Sequence, residues 1–224
     1  MTRRINMVQD KSSSNPGKIE VAWVQRMLAG VLALGEPAQD YLMEAGISPT
    51  LLRHPGSTVN ADQFAILYRV LVERREDEGL GFFPGGLKYG GFALTTNYAL
   101  GAHTLGQAIR RAARALQLQQ DHFTLTMHRE DENVATALAL SPEARASHPF
   151  LQEMLIWVYA RFFSWLVGGR LPILYFCFTH ARPAAPRNYA SIFPAPVRFE
   201  HGQSAFLLKA SWLHAPVRRD KVAL

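Results

Sequence analysis

Between residues 148 and 168 the chain has helical spacing, and the helix it implies is apolar on most of its circumference. Phe150, Leu151, Met154, Leu155, Trp157, Val158, Phe162, Phe163, Trp165 and Leu166 leave little polar face. Such a helix does not rest on a wet surface; it is central to a domain, or it is half of a partner interface. The residues C-terminal to it narrow the choice further. Residues 173–178 form an unbroken apolar run of strand length between Pro172 and the turn residues Thr179 to Pro183, the pattern of a doubly covered strand. Residues 197–200 and 205–208 are separated by His201, Gly202, Gln203 and Ser204, which predicts a hairpin.

The upstream half alternates helices with turns. Residues 1–18, with Arg3, Arg4, Lys11, Lys18 and a Ser-Asn-Pro-Gly stretch, have the composition of a disordered basic tail. Val21, Val24, Met27, Leu28, Val31 and Leu32 then recur at helical spacing until Gly35 and Pro37. A short helix holds Tyr41 and Leu42 and stops at Gly46, and Ser48-Pro49 starts a turn. Asn60 and Gln63 form a capping box before Phe64, Leu67, Tyr68, Leu71 and Val72. Residues 73–78 mix arginines with acids and read as a solvated face. Residues 79–101 contain seven glycines, which argues against a regular helix; Phe82, Phe83, Tyr89, Phe92 and Tyr98 among them suit a lid, a pocket wall or a plug beneath a loop. Thr104 caps a helix whose wet face carries Arg110, Arg111 and Arg114, and residues 123–127 and 134–140 alternate as a hairpin. The fold class expected is α+β: N-terminal helices, antiparallel hairpins plus a buried strand, and one long central apolar helix.

Little in the chain suggests catalysis. There is no G-x-S-x-G, H-E-x-x-H, P-loop or C-x-x-C pattern, and the eight histidines are scattered. No catalytic residue, metal or cofactor is expected, and the chain reads as a non-enzyme. The single cysteine, Cys177, excludes an internal disulfide and fits a reducing cytoplasm; within an apolar strand it acts as a small hydrophobe. No apolar run is long enough to span a bilayer, and the first residues lack the apolar core of a signal peptide, so a soluble cytoplasmic protein without a membrane partner is expected. The net charge of +6 would suit an anionic partner, although part of it sits near the two ends.

Polar groups on apolar elements are the candidates for binding. Glu153, Trp157, Arg161 and Ser164 share one stripe of the long helix. Arg161 has three readings: exposed and paired with a loop acid, part of an interface, or bound to an effector carboxylate or phosphate in a cavity. His180 ends the buried strand, either lining a pocket or bonded to a nearby carbonyl. Tyr189 is lid or core. The set expected to line a ligand site is Phe92, Tyr98, Trp157, Arg161, Phe176, His180 and Tyr189.

A family resemblance runs through the same residues. Pro172, the strand ending Phe178-Thr179-His180, Pro183, Tyr189, the run from Phe193 through Pro194, Ala195, Pro196 and Val197 to Phe199, then Leu213-His214-Ala215-Pro216 and Asp220 form one pattern. Upstream it is matched by residues 42–47, Leu51-Leu52 with Pro55, Phe64, Leu67, Gly79-Leu80-Gly81, Tyr98-Ala99 and residues 104–108. In order and spacing the chain resembles, from about residue 20 to 220, the N-terminal effector (arabinose-binding-like) domain of AraC/XylS-type transcriptional regulators. Ala195 stands where that family often has glycine. The resemblance implies a ligand-sensing domain over 19–215, the start of a linker over 216–224, a small-molecule effector and a homodimer. It also implies that DNA is reached only through a C-terminal helix-turn-helix half that the chain lacks. A dimerisation module without a ligand, and an enzyme with an unrecognised site, are the alternatives.

Overall fold

The computed structural model describes residues 17–54, 56–145 and 149–219. The expected basic tail and linker lie largely outside the described residues. An α+β fold is observed. A short strand β1 (Lys18–Glu20) pairs antiparallel with β2 (Thr58–Asn60), bringing together the starts of α1 (Val21–Ala33) and α3 (Ala61–Arg75). The Asn60 capping box is formed: its side chain accepts the Gln63 amide at 2.7 Å while Gln63 accepts the Asn60 amide at 3.1 Å. Between them lie α2 (Gln39–Glu44) and a 3-10 turn at Pro49–Arg53.

The glycine-rich segment does contain a helix, α4 (Gly91–Leu100), which corrects the expectation of irregular structure throughout. Most of the glycines precede it, and from Gly91 to Leu100 only its first residue is glycine, so the helix interior bears none of the entropic cost the window average suggested. Thr104 caps α5 (Leu105–Gln119), its hydroxyl accepting the Gln107 amide.

A five-stranded sheet has the order β3-β4-β7-β5-β6. β3 (Phe123–Glu130) and β4 (Asn133–Leu140) form the expected hairpin, with Glu130 opposite Asn133. The buried run yields β5 (Tyr175–Cys177), shorter than expected but flanked on both sides. The second expected hairpin does not form. β6 (Val197–Arg198) pairs parallel with β5, and β7 (Ser204–Lys209) lies antiparallel between β4 and β5. A short loop permits a hairpin, but β5 takes the edge of β7 that a hairpin would have used.

The short helix α6 (Pro142–Arg145) leads toward α7 (Phe150–Leu166), which packs on β4 and β7. Eleven of its residues are buried, from Phe150 to Leu166, so it is the central element and not a free interface. Strand alternation divides the sheet. Val134, Leu138, Phe206, Leu208 and Phe176 join the main core, and Ala135, Ala137, Cys177, Ala205 and Leu207 form a small apolar cluster of their own. Residues 215–219 are stitched onto the body. The Leu105 amide donates to the Ala215 carbonyl, Val217 to His103 and Arg218 to Leu166.

Candidate functional site

A cavity of about 400 Å³ opens where α3, the glycine-rich segment, α5, the start of β3 and α7 meet. That is within the size range of small-molecule sites. Each element contributes for a local reason. α7 turns Met154, Leu155, Val158 and Tyr159 to it, at the spacing of one helix face. α3 contributes Tyr68, one turn beyond Phe64 on its apolar stripe. Leu116, Leu118 and Gln119 come from the last turn of α5, and Phe92 from the first turn of α4. Tyr89, Leu94 and Leu118 rim the mouth and are largely exposed, Leu94 to 65% and Leu118 to 70%.

The segment between α3 and α4 is shaped by two acids. Asp77 is buried, and its carboxylate accepts the amides of Gly79 at 2.7 Å, Gly81 at 2.8 Å and Leu87 at 2.7 Å. Gly86 passes so close to it that a side chain there would press on the Asp77 carboxylate, and its φ of +72° also favours glycine. Glu78, the next residue after Asp77, lines the cavity and accepts the amides of Gly90 at 2.9 Å and Phe92 at 2.8 Å, at the N-terminus of α4. These two residues do not form the solvated face read from residues 73–78. Glu78 forms no ion pair among the described residues. Burial raises its pKa above the usual carboxylate value and the charge of Asp77 adds to this, while the two amides pull the other way.

Two phenols share that space. Burial pushes the Tyr68 hydroxyl up to about 12, with Glu78 adding to the rise. Tyr159 is raised further, by burial first and then by Tyr68 and Glu78. Both therefore stay protonated, able to donate or accept.

The residues singled out from the sequence do not all converge here. Phe92 lines the cavity. Phe176 is wholly buried in the aromatic core, 4.9 Å from Phe193 between ring centres, and is not part of the lining. Tyr98 is half exposed on α4 beneath Arg111. Trp157 and Arg161 stack on each other at 5.7 Å on the outer side of α7, Arg161 being exposed. His180 and Tyr189 meet at a different place. Tyr189 donates to Glu153 Oε1 at 2.8 Å, and His180 Nε2 lies 3.3 Å from the same oxygen with Nδ1 2.9 Å from the Ala181 carbonyl.

That second cluster is built around an ion pair. Glu153 is 0% exposed, and Arg26 Nη1 of α1 stands 2.7 Å from its Oε2, though not aligned as a hydrogen bond. The Arg26 guanidinium lies over the rings of Trp23 at 5.1 Å and Phe150 at 5.6 Å. Burial and Glu153 together raise the Tyr189 pKa. The cluster ties α1, α7 and the segment after β5 into one body, and its residues stand apart from those lining the cavity. Tyr68, Glu78, Tyr159, Arg26 and the burial of Glu153 are what the sequence reading missed. Tyr68 lies on an apolar stripe and reads as core, Tyr159 is not distinguished among the apolar residues of the long helix, and Glu78 is hidden in a charged run. Among the described residues no group of three His, Cys, Asp or Glu is placed to hold a metal, and no helix is long and apolar enough to cross a membrane.

A solved transcriptional regulator, CdpR from Pseudomonas aeruginosa, is similar over 90% of this chain, with 19% identity and a TM-score of 0.48; this chain spans 59% of that protein's length. Among curated proteins none matches. Residues 35–217, most of the 224, match the family described as the arabinose-binding domain of AraC transcription regulators, N-terminal. The match covers β2 through β7 and every wall of the cavity, and it is the family that the motifs at Gly79-Leu80-Gly81, Phe178-Thr179-His180 and Phe193 to Phe199 resemble. The chain therefore belongs to the family of N-terminal arabinose-binding domains of AraC-type transcription regulators.

Proposed function

We propose that this domain senses a small intracellular effector, held in the cavity between α3, α4, α5 and α7, and that it is a binding module and not an enzyme. The observation that carries the reading is the cavity itself: largely apolar walls around the Glu78 carboxyl, which has no ionic partner among the described residues, and the two phenols of Tyr68 and Tyr159. A few polar groups set in a largely apolar hollow are what fixes the orientation of a small molecule.

The route outward follows two helices. α5 has its C-terminal turn at the cavity and its first residue bonded to Ala215; α7 lines the cavity with its first half and receives the Arg218 amide at Leu166. A ligand that favours one arrangement of these helices would shift the setting of residues 215–219, and with it any DNA-binding unit joined beyond them. A homodimer is part of the same proposal. The outer face of α4, with Leu94 and Tyr98 four residues apart and exposed, supports self-association there better than the buried α7 does.

The test is a thermal-shift and calorimetric screen of small metabolites against the wild type and Val158→Trp, whose indole would fill the hollow. Ligands that raise the wild-type Tm and leave the variant's unchanged are expected. A variant that binds as the wild type does would place the ligand elsewhere.

A further inference from the structure

The walls of the cavity and its polar groups specify different parts of a ligand. Leu87, Leu94, Leu116, Leu155 and Val158 accept an apolar body, and make no distinction of charge. The polar groups do. Glu78 gives one carboxylate oxygen to the Gly90 amide and the other to the Phe92 amide. An ionised carboxylate accepts about four hydrogen bonds, so each oxygen keeps acceptor capacity for the cavity. The two amides are dipoles; they stabilise the charge without cancelling it. Gln119 has its amide hydrogens engaged, donating to Thr95 Oγ1 at 2.9 Å and to the Ala115 carbonyl, so its oxygen remains an acceptor. Tyr68, Phe92 and Tyr159 present aromatic rings, whose faces attract cations. Among the described residues Lys88 is the one cationic side chain in the lining, and it is at the rim.

An anionic ligand would bring a second negative charge beside Glu78 with no guanidinium in the lining to receive it. A neutral ligand would leave Glu78 enclosed without a counter-charge. A protonated amine would supply donors and the opposite charge together. Resting on the effector reading above, we propose that the ligand is an organic amine, its ammonium group on the Glu78 carboxylate between Tyr68 and Tyr159 and its apolar body along α5 and α7.

Octylamine, octanol and octanoate, equal in chain length and different in head group, are the probes. Titrated calorimetrically into the wild-type chain, octylamine is expected to bind about tenfold more tightly than octanol, the difference between a charge-assisted and a neutral hydrogen bond, and octanoate weakest. Val158→Trp should abolish all three heats, which separates cavity binding from adsorption. Glu78→Gln should bring octylamine down to octanol. Because its new amide would oppose the Phe92 N–H, Tyr68→Phe and Tyr159→Phe provide changes that leave the loop untouched, and each should weaken octylamine while sparing octanol's apolar contacts. Equal affinity for the three probes, all lost in Val158→Trp, would overturn the amine and leave the effector site standing. Octylamine that fails to bind, or octanoate that binds best, would also overturn it. The effector reading falls separately, if no ligand in the wider screen depends on the cavity.

Discussion

At the scale of single residues, the buried ion pair is the point of greatest consequence for stability. Arg26 and Glu153 are 8% and 0% exposed at their side chains, so neither charge is hydrated. Removing one partner strands the other, which costs more than the pair contributes. Arg26→Met should therefore lower the unfolding free energy by about 3–5 kcal/mol in urea. The double variant Arg26→Met with Glu153→Leu should recover much of that loss, since two apolar side chains suit the same space. A double variant as unstable as the single would mean the cluster's hydrogen bonds to Tyr189 matter more than its charges. Part of this was legible beforehand. The spacing of Glu153, Trp157, Arg161 and Ser164 identifies a polar stripe on a greasy helix, but periodicity gives only an angle around an axis. Which end of the stripe is covered depends on α1, far away in the chain, and on the aromatic rings of Trp23 and Phe150 that accept Arg26. Arg161 and Glu153 look equivalent in sequence and are opposite in burial.

At the scale of elements, the glycine-rich segment is held by close backbone contact. Gly30 of α1 lies against the stretch from Leu80 to Phe82, and a Cβ at Gly30 would overlap the Leu80 carbonyl oxygen. Since that obstacle is backbone, the clash cannot be relieved by a side-chain rotation. Gly30→Ala should destabilise the domain by about 1–3 kcal/mol, as overpacking does. It should also weaken any cavity ligand, because Leu80 and Phe82 belong to the same segment as Glu78 and Phe92. A variant with unchanged Tm and binding would show that the segment docks independently of α1. Element existence was legible where the signal was local: the capping box at Asn60, the Thr104 cap and the hairpin of residues 123–127 and 134–140 all form. It was not legible where a neighbour decided the outcome. The loop from His201 to Ser204 suits a hairpin, yet β5 occupies the pairing edge of β7. The glycines of residues 79–101 are gathered at turns, so their abundance conceals α4.

Across the whole molecule, the carboxyl in the cavity couples stability, ligand and pH. Glu78 has a raised pKa in the folded chain, from burial above all, while in the unfolded chain it titrates near its ordinary value of 4.5. Below that value both states hold the proton, and Glu78 contributes no penalty. As pH rises from there through the folded value, the unfolded state loses its proton first, so this group progressively destabilises the fold, fully so above the folded value. An amine ligand has the opposite dependence, since it requires the ionised carboxylate. The other charged groups around Glu78 are Asp77, fixed by three amides, and Lys88 at the rim, and Tyr68 and Tyr159 remain protonated over this range. The shift in Tm produced by octylamine should accordingly grow as pH rises from about 4.5 toward neutrality, approaching the effect of about 2.7 kcal/mol that a ligand at a hundredfold its Kd confers. Octanol's shift should stay flat over the same interval. In Glu78→Gln the octylamine shift should become flat as well. An octylamine effect that grows with pH equally in the wild type and in Glu78→Gln would assign the dependence to a different group, and the carboxyl in the cavity would then be a tie for the N-terminus of α4 and nothing more.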